Sequence, residues 1–406
     1  MRSVASELHA DAVEADELAI VLGQYFPRGN WEQNSSILHM TADEEVALAV
    51  EYTRRGRIID VKATDIVDSG LLDEIAARVQ TELLGERGTF VRRETLFSLH
   101  PVGHYYRHHH LWQILTAPAD APRPPTSYAQ HPFLIEMRLP ASSLLELRIS
   151  RAQKRLWDLH LVLSLLLHGN IEKASYSAQF HWVLDHEAPS SSPVSRYLQS
   201  GYVFPSLAYE SPDFSELDGV SPMQSVPDDE YFARLGVDGS PMDMPACLPG
   251  VFDCLEAAPE GVRERFLRAC YWLDRSSGSW HVSASLSYLS LVNSIEALVA
   301  PGPRDECPHC QQDMSPGPTR RFRDFVDRYA AGAEGKSRAR LYELRSDLVH
   351  GEHLLLRDRP SWTGGFEPAT LRQDDLRREM RSVARVAIIN WFREQMATGG
   401  NQPHRS

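Results

Sequence analysis

At 406 residues the chain is too long for one compact core, so two domains and a connector are expected. A composition of 42% hydrophobic and 24% charged residues is ordinary for a globular protein and excludes a chain with no core to bury. The net charge of −13 argues, taken alone, against a nucleic-acid partner, but its distribution along the chain points the other way. Residues 261–406 carry 22 Lys and Arg against 18 Asp and Glu, whereas the first 260 carry 20 against 37. The basic charge of the C-terminal part is nearly all arginine, whose planar fork suits phosphate.

No apolar run approaches the roughly 18–20 residues that a membrane span needs, so no membrane partner is expected. The greasiest stretch, Leu159 to Leu167, is interrupted by His160 and Ser164 and reads as a buried helix, with His160 a core histidine making one hydrogen bond. The first residues carry Glu7, Asp11, Glu14 and Asp16 and no hydrophobic signal core. Five cysteines, an odd number, do not suggest a disulfide framework, and a cytoplasmic setting is expected.

In chain order, β-rich runs occupy 36–40, 46–52, 57–62, 90–97, 111–115 and 133–139. A helix is predicted over 71–84, with Leu72, Ile75, Val79 and Leu83 on one stripe. Another is predicted over 152–168, closed by Gly169 at its C-cap. Residues 1–204 thus read as an α+β domain, with a sensing or regulatory role assigned to it. Residues 205–259 alternate prolines with acids such as Asp213, Asp228 and Asp229 and read as a linker. Residues 260–406 then turn helical. Amphipathic helices are predicted over 260–274, 282–299, 319–330, 337–350 and 374–398, and an antiparallel bundle is the simplest way to bury their stripes.

The segment Leu341-Tyr-Glu-Leu-Arg-Ser-Asp-Leu-Val-His-Gly351 sits at the end of the fourth of these helices. An arginine five residues before a histidine occurs three times in the chain, at Arg155–His160, Arg304–His309 and Arg345–His350. Only the last lies near the end of an amphipathic helix, before a glycine, inside a predicted bundle. It resembles the signature of HEPN domains, and Ser290-Leu-Val-Asn-Ser-Ile-Glu-Ala-Leu298 is similar to the second-helix pattern of the same family, closest to its Apea-like branch. The resemblance covers residues 262–398 only and implies an all-α HEPN-like antiparallel bundle after the α+β domain.

What the resemblance implies is a metal-independent endoribonuclease, homodimeric, with two such helices facing across a twofold axis and no cofactor for catalysis. Arg345, Ser346 and His350 would be the catalytic residues, with Glu296 and Asp347 in support. RNA would be cut through its own 2′-hydroxyl, and tRNA or a structured loop is the expected substrate class. Ribonucleases so built resemble toxin effectors of bacterial antiviral defence. Ser346 departs from the family, which often has asparagine there, and this favours an alternative: a HEPN-like module that dimerises and binds RNA or a nucleotide without cutting, its N-terminal domain serving protein interaction. A third reading is a protein-interaction scaffold. A basic residue and a histidine in a last helical turn also serve simply as electrostatic caps.

Two further constellations stand out. Cys307-Pro-His-Cys310 has knuckle spacing but is only half of a structural zinc site; a relic or redox-inert pair is the plainer reading, and a zinc would need Cys247, Cys254, His309 or a dimer partner for its further ligands. The run His104-Tyr-Tyr-Arg-His-His-His110 cannot turn three adjacent histidines to one metal from a strand, because neighbours point to opposite faces. His108 and His110 would share a face with His104 near, a solvated loop edge is the plainer reading, and Tyr105 and Tyr106 would be available for base stacking. No phosphate-cradling glycine loop, kinase set or nucleophile elbow occurs.

Overall fold

The structure, a computed structural model, describes residues 1–32, 35–42, 44–54, 56–118, 131–173, 181–184, 195–198, 209–234, 241–280, 282–299, 316–330, 335–350, 353–359 and 367–398. It is a mixture of sheets and helices that divides into two compact units, neither continuous in sequence. Unit 1 comprises Met1–Arg92, Met137–Leu156 and Tyr209–Ser215, and unit 2 comprises Arg93–Glu136, Trp157–Ala208 and Glu216–Ser406.

Unit 1 is built on an antiparallel sheet of β1 (Arg2–Ser3), β2 (Arg28–Trp31), β3 (Ile37–Ala42), β4 (Glu45–Tyr52) and β5 (Ile58–Ala63), in the order β1-β5-β4-β3-β2. Helices α1 (Ala15–Gly23) and α2 (Ser69–Val79) bury Leu18, Val21, Leu22, Leu72, Ile75 and Val79 in one core with Leu48, Val50 and Val61 of the sheet. Asp68 caps α2 by accepting from the Leu71 amide at 2.7 Å. The expected helix over 71–84 is therefore present, but its last turn, Gln80–Leu84, widens to a π-helical one. That turn places Glu82, 4% exposed, where it accepts from Ser142 Oγ at 2.6 Å and Ser143 N at 3.2 Å. Burial raises the Glu82 pKa, but these hydrogen bonds outweigh it and hold the carboxyl below its ordinary value.

A second, six-stranded sheet contains β6 (Thr89–Ser98), β7 (Tyr106–His108), β8 (Trp112–Thr116), β9 (His131–Pro140) and β10 (Glu172–Lys173), in the order β10-β6-β9-β8-β7, with the short strand Glu210–Ser211 pairing to β6 off that path. β6 and β9 contribute residues to both units. Within unit 2 a polar ladder crosses this sheet, from buried Arg93, Glu136 and Gln113 out to exposed Arg107: Arg93 Nε donates to Glu136 Oε1 at 2.5 Å, Gln113 Nε2 donates to Glu136 Oε2 at 2.6 Å, and Arg107 Nε donates to Gln113 Oε1 at 2.6 Å. Glu136 is fully buried, so both oxygens need partners there, and both have them.

Helix α3 (Leu145–Leu166) starts earlier than the apolar periodicity indicates. It ends at Leu166, two residues short of the expected 168, so Gly169 lies beyond its C-cap; Gly169 has φ +101°, and a Cβ there would stand 2.6 Å from both Ser98 Oγ and His100 Cδ2. His160 is buried with Nε2 2.9 Å from the Ile171 carbonyl oxygen.

The acidic, proline-rich stretch behaves differently from the linker expected over 205–259. From Glu216 it belongs to unit 2, where it forms α4 (Asp228–Ala233) and α5 (Leu248–Ala257) and buries Tyr231, Leu248, Val251, Phe252 and Leu255. Its prolines start helices: Pro227 precedes α4, Pro249 is the second residue of α5, and Pro259 precedes the next helix. Helices α6 (Glu260–Ser279), α7 (Ala284–Glu296), α8 (Pro318–Tyr329), α9 (Gly335–Val349) and α10 (Pro368–Thr398) follow and pack on one another. Phe266 of α6 stacks on Phe392 of α10 at 3.8 Å, and Arg265 donates to the Leu298 carbonyl beyond α7 at 2.6 Å. No described helix is long and apolar enough to cross a membrane.

His168 sits at a junction within this unit. Its Nδ1 accepts from Arg385 Nη1 at 3.1 Å while Nε2 donates to the Tyr231 carbonyl at 2.9 Å, an arrangement that requires the neutral ring. Burial and then the Arg385 charge push its pKa down to about 4. Because the unfolded ring takes up its proton near pH 6.5, the folded state loses stability as pH falls from about 6.5 to about 4, by up to roughly 3 kcal/mol in all. Urea midpoints measured across that range will fall for the wild type and flatten for His168→Gln; parallel curves would show that His168 does not carry the dependence.

Candidate functional site

The site that the sequence singles out lies at the end of α9. Leu341 and Leu348 are buried as their spacing predicts, while Leu344 is half-buried. The helix also buries Tyr342, which periodicity does not pick out, with its ring 5.0 Å from that of Phe322 on α8. Tyr288, fully buried on α7, donates its hydroxyl to the Leu341 carbonyl, which ties α9 to α7 through the backbone.

These contacts deliver Arg345 to a defined place. Its Nη2 lies 3.4 Å from Glu296 Oε1 at the C-terminal end of α7, and its guanidinium carbon stands 5.5 Å from the Tyr342 ring centre. The Arg345 side chain is 23% exposed, and its Nε is buried without a hydrogen-bond partner among the described residues. The guanidinium is thus oriented by a carboxylate and an aromatic face, both on elements that are themselves packed.

Ser346 and Asp347 are half-buried, whereas His350 is exposed just past the end of α9. The His350 amide donates to the Ser346 carbonyl at 3.0 Å. The His353 amide reaches the Asp347 carbonyl at 3.4 Å, so that carbonyl of the last turn of α9 is satisfied by the chain that follows. That chain then fastens to α7 and α10. Leu355 N donates to Ser285 Oγ at 2.9 Å, Leu356 N to Gln373 Oε1 at 2.8 Å, and Arg357 Nε to Asp374 Oδ1 at 2.9 Å. Asp358 caps α7, accepting from Ala284 N at 2.6 Å, Ser285 N at 2.9 Å and Ser283 Oγ at 2.9 Å. His350 lies in the chain between α9 and this anchored segment.

Of the other sequence candidates, Cys307 and Cys310, with His309, lie outside the described residues. Cys247 is buried and its thiol is pushed up to about 12 by burial and by the Asp228 carboxylate, which disfavours the thiolate that zinc needs. Cys254, on α5, also has its pKa raised, chiefly by burial. Tyr106 is not available for base stacking: it is 7% exposed, with its ring 5.2 Å from Trp112. His108 and His110 do not share a strand face either, because the strand ends at His108 and the next two residues form a turn.

Burial raises the Asp358 pKa, but the hydrogen bonds from Ser285, Ser283 and Ala284 prevail and lower it below its ordinary value. The stability it supplies is complete above the unfolded carboxyl pKa and is lost as pH falls through the lower folded value. Asp358→Ala is expected to cost about 1–2 kcal/mol in chemical denaturation at neutral pH; an unchanged midpoint would mean that the cap contributes nothing. No family model, curated protein or solved structure matches this chain.

Proposed function

We propose that the helices α6–α10 form a HEPN-type endoribonuclease that cuts RNA without a metal ion. The observation that carries the reading is Arg345, held by Glu296 and Tyr342 at the end of a packed helix whose next turn presents an exposed His350. In this mechanism His350 takes the proton from an RNA 2′-hydroxyl, and the 2′-oxygen attacks the adjacent phosphorus. The bond from phosphorus to the 5′-oxygen breaks, and that oxygen leaves with a proton supplied by a second imidazole or by water. The products are a 2′,3′-cyclic phosphate and a free 5′-hydroxyl. Arg345 stabilises the charge that builds on the phosphorane oxygens. The second imidazole would come from His350 of a second copy of the chain, in a homodimer. The excess of arginine over acid after residue 260 favours a polyanionic substrate, and tRNA is a natural candidate. On this reading the protein is a defence or toxin effector whose N-terminal part restrains or triggers the bundle.

A second reading is favoured by one observation. Arg345 already faces a carboxylate, and Ser346 supplies only a short hydroxyl beside it. A guanidinium so engaged holds a phosphate without driving its cleavage, which makes the assembly an RNA-binding or nucleotide-binding module.

Cleavage of total RNA by the purified protein in excess EDTA separates the two. The catalytic reading predicts cyclic-phosphate ends from the wild type, a loss of about 10²–10⁴-fold in His350→Ala and a comparable loss in Arg345→Ala. A 2′-deoxy substitution at the cut site should block cleavage entirely. Retained RNA binding with no cutting, weakened by Arg345→Ala, selects the binding module; equal cutting by wild type and His350→Ala removes the ribonuclease reading.

A further inference from the structure

The run of histidines at 108–110 has a partner that the sequence does not announce. β7 ends at His108, and the chain turns at once through His109, which adopts φ +50°. That left-handed conformation is uncommon for a residue with a Cβ. In a continued strand the two rings would point to opposite faces. Here the turn swings the second ring round, so that the two centroids lie 4.5 Å apart, and both imidazoles meet Asp253 of α5, 144 residues away from His109 in the chain. His109 Nε2 stands 2.8 Å and His108 Nε2 3.5 Å from the same oxygen, Asp253 Oδ1. One ligand atom from each of the three residues lies within 4.8 Å of the other two, and no other such group of three or more His, Cys, Asp and Glu occurs among the described residues.

We propose that His108, His109 and Asp253 bind one divalent transition-metal ion of the zinc class. Tetrahedral zinc with bonds of about 2.0–2.1 Å separates its ligand atoms by about 3.3 Å. The His108–Asp253 separation already matches that value, and the His109–Asp253 contact has to open by about half an ångström, with the carboxylate passing from hydrogen-bond acceptor to ligand. Two imidazoles and a carboxylate suit zinc, cobalt, nickel or copper and not magnesium or calcium, which prefer oxygen.

The surroundings are those of a prepared ligand. The His108 side chain is 1% exposed and sits between the rings of Trp112 at 5.5 Å and Phe252 at 5.6 Å, so its orientation is set by packing. Its Nδ1 lies 3.1 Å from the Tyr106 hydroxyl. With Nδ1–H donating to that oxygen, the tautomer leaves the Nε2 lone pair for the metal, the usual second partner of a ligating imidazole. His109 and Asp253 are 64% and 54% exposed, so a fourth position opens to solvent and to an exogenous ligand. The site is built from β7, its turn and α5, shares no residue with the α9 site, and does not depend on the ribonuclease reading.

The test is titration of full-length, EDTA-stripped and dialysed protein with zinc and with cobalt, in a Cys307→Ser/Cys310→Ser background that removes the thiolate pair. One equivalent of zinc per chain should bind, and cobalt should give tetrahedral d–d absorption without thiolate charge transfer. His109→Ala and Asp253→Asn, at exposed positions where folding is retained, should each weaken binding by about 10–100-fold. Failure of the Cys307→Ser/Cys310→Ser protein to take up either metal, or unchanged affinity in both substitutions, would overturn the site.

Discussion

Arg385 is the residue on which the architecture of unit 2 turns. It is 5% exposed on α10 and donates through Nη2 to the Ser164 carbonyl at 3.1 Å and the Leu167 carbonyl at 2.7 Å, and through Nη1 to His168 at 3.1 Å. The last turn of a helix leaves its carbonyls without intrahelical donors, and a buried helix end without partners costs several hydrogen bonds' worth of desolvation. A guanidinium meets that need with charge of the right sign for a C-terminus. Its own burial lowers its pKa, so the carbonyls of residues 164–167 and the helix α10 each require the other. Tyr231 closes the arrangement, its hydroxyl accepting from the His168 amide at 2.9 Å. The acidic segment after residue 216 is thereby drawn into the packed unit.

Elsewhere carboxylates do the organising. Glu136 and Glu82 are buried and Asp358 half-buried, each where several donors converge: Glu136 ties β6 to β8, Glu82 holds the turn at Ser142 and Ser143, and Asp358 caps α7. The Arg345–Glu296 pair is of another kind. With side chains 23% and 31% exposed it contributes at most about 1 kcal/mol to stability. What places Arg345 is therefore the burial of Leu341, Tyr342 and Leu348 and the Tyr288 hydroxyl on the α9 backbone. The ion pair orients a guanidinium already delivered to its position.

Six expected strands and the main helices were legible in the sequence, because alternation and the 3.6-residue stripe report directly which side of an element is buried. Gly169 was legible for a related reason: only glycine tolerates φ +101° with Ser98 and His100 so close. Glu296 was named beside Arg345 only through the family resemblance, and the aromatic support from Tyr342 could not be anticipated at all, since a tyrosine beside a leucine stripe does not declare its partner. Short α1, the proline-led helices α4 and α5 and the strand at 106–108 leave no comparable signal, because each is too brief to show a period.

By itself, then, the sequence determined the local elements, the segregation of charge along the chain and the motif at the end of α9, all of which are set by residues within a few turns of one another. Tertiary structure alone decided what those elements are buried against. It split the chain into units that interleave in sequence, and in unit 2 it recruited a proline-rich stretch that composition marks as a linker. It also brought Asp253 to two adjacent histidines that strand geometry would have turned apart. The physical reason is that periodicity records the existence of a buried face, whereas the partner of that face, and a single residue's left-handed turn, are fixed only by contacts between segments more than a hundred residues apart.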